Sequence, residues 1–231
     1  MTFSSLLVSC SDRKLSTTLA IDISESNVAN TENHKLMEDM CKVVTLQLRS
    51  SDALTIARFN SSPEPSLLNK TITQSNSQQW RDHGKSICKT LFQYNISKNF
   101  APPGTDIRRT WLSFYKNYEK QKIMFLPQKK DMPVEVFIAL IDSLEPVSQN
   151  GQEKYNIEKF KDSVQTFIND GNFVFIYVFN HSDRQDLATD LDFVDNTSKR
   201  LIFLDENYQA QIDDIYSQAR AEKRNGQDKK S

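Results

Sequence analysis

Two stretches of this chain, VEVFIALI at 134–141 and FVFIYVF at 173–179, are almost unbroken in apolar and aromatic residues. A strand with one face in water alternates apolar and polar side chains. Runs without alternation fit strands covered on both faces, which belong in the middle of a parallel sheet with helices above and below. Weaker strand patterns lie at Thr17 to Ile23, Ala53 to Phe59, Leu201 to Leu204 and, short and polar, near Thr71 to Thr73.

Between these strands the apolar period changes to three and four. Leu36, Met40, Val44 and Leu48 form one stripe, and Ile107, Trp111, Phe114 and Tyr118 a second. Ile157, Phe160, Val164 and Phe167 form a third, and Ile212, Ile215 and Ala219 mark the last helix. Each stripe is the core-facing side of an amphipathic helix. Strand and helix alternating along the chain predict an α/β fold: a doubly wound, mostly parallel central sheet with one antiparallel edge strand and helices on both faces. The 231 residues suit one such domain, spanning 17–219, after an N-terminal segment 1–16 and before a charged tail 220–231 expected to fray.

Basic and acidic residues nearly balance, 29 against 30, so bulk electrostatics give no reason to expect a nucleic-acid partner. Cys10, Cys41 and Cys88 are too few and too scattered for a disulfide framework or a metal cluster. One disulfide remains compatible with them, but Cys41, in a helical pattern beside Met37, Met40 and Val44, reads first as a small buried thiol. Asn60, Asn69, Asn95, Asn180 and Asn196 open Asn-x-Ser/Thr triplets, which matter only in a eukaryotic secretory pathway. No apolar run is long enough to span a bilayer.

The segment LLVSC at 6–10 resembles a bacterial lipoprotein cleavage box, which would make Cys10 a lipid-attachment residue. Only nine residues precede Cys10 and none is basic, so the leader pattern is incomplete. Two readings stand: a signal remnant with membrane anchoring through Cys10 and a cell-envelope or extracytoplasmic location, or an accidental likeness in a cytoplasmic protein.

The first predicted strand runs into DISES, with Asp22, Ser24 and Ser26 at alternate positions. In an open α/β sheet, ligands bind beyond the carboxyl ends of the strands, where strand order reverses. Asp22 and Asp142 both fall at such ends. A carboxylate with hydroxyls suits a hard cation such as magnesium, manganese or calcium, whereas zinc or copper calls for His or Cys.

DISES resembles the D-x-S-x-S motif of von Willebrand factor type A domains, whose metal-ion-dependent adhesion site adds a Thr from a second loop and an Asp from a third. PPGTDI supplies Thr105 just before an amphipathic helix, and FIALIDS supplies Asp142 at the end of the most hydrophobic strand. The resemblance runs from Thr17 to about Ala219. It implies a cation held directly by Ser24, Ser26 and Thr105, with Asp22 and Asp142 acting through waters or as hydrogen-bond acceptors behind the ligands, and a Glu or Asp of a partner protein as a further ligand. It implies no catalysis. Ser143 stands where the family commonly has Gly, and Glu25 and Glu145 add negative charge that would tighten a cation but repel an acidic partner.

Two other readings accompany it. Asp22 and Asp142 are also the pair a doubly wound phosphatase would use to hold magnesium for phosphoryl transfer, although Ser24 stands where such enzymes usually carry a second acid. A third reading is a metal-free scaffold with a degenerate site, and residue by residue Ser24 or Ser26 could instead cap the first helix and Thr105 with Asp106 the second. His34, His83 and His181 are far apart, and no Ser/His/Asp or Cys/His set has a recognisable context. RDHGKS at 81–86 lacks the upstream Gly and strand of a phosphate loop and reads as helix. Arg108 and Arg109 open a helix near the metal residues, either solvated or placed to steer an acidic partner.

Overall fold

The computed structural model describes residues 14–22, 24, 30–49, 51–59, 67–68, 82, 84, 86, 88–89, 107–124, 132–141, 151–192, 195–197 and 199–221. The strands are β1 (Leu15–Asp22), β2 (Ala53–Phe59), β3 (Leu67–Leu68), β4 (Val134–Ile141), β5 (Phe173–Val178) and β6 (Leu201–Phe203). The helices are α1 (Thr31–Gln47), α2 (Ile107–Met124), α3 (Gly151–Asn169), α4 (His181–Asp190) and α5 (Tyr208–Ala221). Strand order is β3-β2-β1-β4-β5-β6. The five strands from β2 to β6 along that order pair in parallel. Leu67–Leu68 pairs antiparallel with β2, while the strand expected near Thr71 to Thr73 lies outside the described residues.

The unbroken apolar runs have the cause the sequence suggested. All eight residues of β4 are buried, because helices cover both sides of the sheet. On one face Leu19, Ile21, Val136, Ile138 and Leu140 pack with Met40 and Val44 of α1 and Ile212, Ile215 and Tyr216 of α5. On the other, Ala20, Phe137, Ala139 and Ile141 pack with Trp111 of α2, Phe160 and Phe167 of α3 and Leu187 of α4. Trp111 anchors that second face. Its ring meets Phe137 edge-on at 4.9 Å and Phe167 at 5.2 Å, and Nε1 donates to Ser163 Oγ at 2.7 Å, so burial leaves no polar atom of the indole unpaired.

Three features depart from the sequence reading. β1 starts at Leu15, two residues before the expected strand, because its N-terminal end is tied down: Leu15 N donates to Asp52 Oδ1 at 2.9 Å. Arg220, expected to open a frayed tail, is 8% exposed in the last turn of α5 and pairs with the buried Asp52 at 2.5 Å. Cys41 is buried but is not a free thiol, since it forms a disulfide with Cys88 across 47 residues. Asp82, Gly84, Ser86, Cys88 and Lys89 have helical backbone, as expected for RDHGKS. Gly84 lies so close to α1 that a Cβ there would stand 2.5 Å from Thr45 Cβ. Among the described residues no helix is long and apolar enough to cross a membrane.

Candidate metal centre

The strand order reverses between β1 and β4, the two central strands, so the crevice beyond their carboxyl ends is where a ligand of this topology sits. Asp22 is the last residue of β1. In the parallel register Ile21 lies opposite Leu140, which sets Asp22 level with Ile141, the last residue of β4. Asp142 follows next in the chain. The spacing of two strands in a parallel sheet, about 4.8 Å, therefore separates Asp22 from Ile141 at this edge.

Asp22 is 0% exposed and Ser24 1% exposed. The Asp22 carboxylate accepts a hydrogen bond from Ser24 N at 2.8 Å, the local side-chain-to-backbone bond by which an Asp fixes the residue two positions on as a strand ends. Ser26, Thr105 and Asp142, the other three expected ligands, lie outside the described residues, as does Cys10. Among the described residues there is no cluster of three or more His, Cys, Asp or Glu side chains. The two described members are both oxygen donors, buried at the switch point, and this chemistry fits a hard divalent cation.

The helix-cap explanation for the serines does not hold. α1 begins at Thr31 and its N-cap is Asn30, whose side chain accepts from Glu32 N at 3.0 Å and Asn33 N at 3.1 Å. Ser24 and Ser26 are thus not needed to satisfy the orphan amides of that helix.

Of the two arginines, Arg108 is neither solvated nor turned toward a partner. It reaches Asp190 at the end of α4 at 2.5 Å, its side chain only 11% exposed, and ties α2 to α4. Arg109 is exposed. Ile107, the first residue of α2, is 1% exposed in the cluster that holds Ala20 and Ile141. That packing brings the start of α2, two residues after Thr105 in the chain, toward the carboxyl half of β1 and β4.

By sequence, no protein-family model and no curated protein matches the chain. By structure, the chain has the von Willebrand factor type A fold. It superposes on manganese-loaded TRAP protein of Plasmodium vivax with TM-score 0.57 at 14% identity, covering 88% of this chain and 73% of that one. A von Willebrand factor type A protein from Catenulispora acidiphila gives TM-score 0.55 at 12% identity, covering 90% of this chain and 42% of that one. The pilus adhesin SpaC from Lactobacillus rhamnosus GG gives 0.54 at 10% identity, covering 90% of this chain and 30% of that one. This chain spans less than half the length of the last two.

Proposed function

We propose that this chain is a protein-binding module that works through a divalent cation, magnesium, manganese or calcium, held by Asp22, Ser24, Ser26, Thr105 and Asp142. The observation that carries this reading is the buried Asp22–Ser24 turn at the end of β1, at the topological switch point and released from any capping duty by Asn30. When bound, the cation supplies a coordination position for an acidic side chain of a partner protein. The chain's own residues prepare the site. Asp22 fixes the Ser24 backbone, hydroxyl donors leave more of the cation's charge uncompensated than carboxylates would, and the apolar layer of Ala20, Ile107 and Ile141 backs the strand ends.

The Cys41–Cys88 bridge supports a second element of the reading, work in an oxidising compartment, since such bonds are rare where glutathione keeps thiols reduced. That agrees with an envelope or extracellular location and leaves lipid attachment at Cys10 as one route to it. The manganese-loaded TRAP protein and the pilus adhesin share the fold and are consistent with an adhesive role.

The test is a thermal unfolding series in chelator, magnesium and manganese. The melting temperature should rise with cation concentration and the rise should vanish in Asp22→Ala. An equal rise in wild type and variant would refute the site.

A further inference from the structure

On the α2 face of the sheet the residues change character along the strands. Toward the carboxyl ends the positions are apolar: Ala20, Phe59, Ala139 and Ile141. Toward the amino ends the same face presents Ser16, Thr18, Thr55 and Glu135, with Ser16 opposite Glu135 and Thr18 opposite Thr55. The C-terminal half of α2 does not close over this polar half. A cavity of about 390 Å³ lies between them, and Ser113, Phe114 and Asn117 of α2 line its helix side. Ser16 and Asp22 are six residues apart on β1, so the far end of the cavity, at Ser16 and Glu135, is about 20 Å from Asp22 at 3.3 Å per residue, while its near wall reaches Ala57, level with Ala20.

Glu135 is the feature that needs a reason. It is 4% exposed, and burial pushes its carboxyl up to about 7, against a hydrogen bond from Ser16 that pulls the other way. One neutral donor does not replace the water a carboxylate loses. The other titratable residues lining the cavity are Lys120, which is exposed on α2, and Tyr118, whose hydroxyl already donates to Asp170 at 2.9 Å and accepts from Asn172 Nδ2 at 2.9 Å. The carboxyl therefore opens on a space of ligand size with no buried cation among the described residues around it.

The volume falls within the roughly 300–1,000 Å³ typical of small-molecule sites. It is too roomy, and too poor in carboxylates, to cage a bare metal ion. A primary ammonium brings three N–H donors, matching a carboxylate and the hydroxyls of Ser16, Thr18 and Thr55. Phe114 and Phe137, whose rings lie 4.6 Å apart, add aromatic wall against which an apolar body or the cation itself can rest. We propose that this cavity is a second binding site, separate from the metal centre, that takes a small molecule carrying a primary ammonium group, with Glu135 as its counter-ion.

The experiment titrates 2-phenylethylamine, and the neutral 2-phenylethanol as its control, into the chain in the presence of chelator, so that the metal centre plays no part. Amide chemical shifts of Ser113, Asn117 and Glu135 are followed by NMR. The amine should give saturable shifts at millimolar concentration. Binding should weaken by about tenfold or more, the worth of 1.4 kcal/mol, for the alcohol and for the near-isosteric Glu135→Gln. Ser113→Phe, which fills the cavity from the helix side and leaves the carboxyl in place, should abolish it. Absence of saturable shifts in the wild type, or equal affinity for amine and alcohol, or unchanged affinity in a folded Glu135→Gln, would overturn the proposal.

Discussion

Replacing Glu135 by Gln should make the protein more stable at high pH and leave it little changed at low pH. The side chain keeps its size and can still bond Ser16, but loses the charge. In the folded chain burial raises the carboxyl from its ordinary 4.5 to about 7, and at about 1.4 kcal/mol per pH unit this amounts to about 3 kcal/mol. The sign follows from proton counts. Between 4.5 and 7 the folded state holds a proton that the unfolded state has released, so this group's contribution is intact below the first value and is lost as pH rises through the second. Urea unfolding of wild type and variant should therefore give a stability difference near zero at acid pH that grows in favour of Gln to about 3 kcal/mol above neutrality. Taking the difference cancels groups common to both proteins. A difference flat across that range would show that Glu135 ionises as it would in water and that its burial carries no such cost.

Other outcomes follow from the same structure. Cys41→Ala with Cys88→Ala should lose up to about 4 kcal/mol in chemical denaturation, the loop-entropy value for a closed loop of about 48 residues, and thiol titration of the unreduced wild type should find neither cysteine free. Arg220→Met should cost about 3–5 kcal/mol by leaving the Asp52 carboxylate buried without its cation. Asp52→Asn in the same background should recover part of that loss in a double-mutant cycle.

The centre of the sheet was legible because β4 is buried on both faces and therefore carries a dense apolar run, and β4 and the weaker β2 both match their expected limits. Strand ends were less so. β1 is lengthened by the Asp52 bond to Leu15, a contact 37 residues away that no local period records. Pairing of Cys41 with Cys88 likewise depends on where the segment around Gly84 packs against Thr45 of α1. Arg108 read as a surface charge because the sequence does not reveal that Asp190 ends a helix beside it. One signal was present and passed over: a Glu inside VEVFIALI, a run that otherwise reads as buried on both sides, is a buried carboxyl by the same logic that found the strand. At the candidate metal centre, the alternate spacing in DISES marked Asp22 and Ser24, and the structure sets both at the switch point. Ser26, Thr105 and Asp142 rest on motif and order alone.

The most direct test of the central claim is a calorimetric titration of magnesium and manganese into chelator-treated protein, with Asp22→Ala and Thr105→Ala alongside. Thr105 comes from a different loop, so its loss probes whether the motif assembles and not only whether the Asp22 turn folds. The account predicts saturable binding with near one-to-one stoichiometry in the wild type, lost or severely weakened in both variants. Absence of binding in the wild type, or binding that both variants retain, would contradict it.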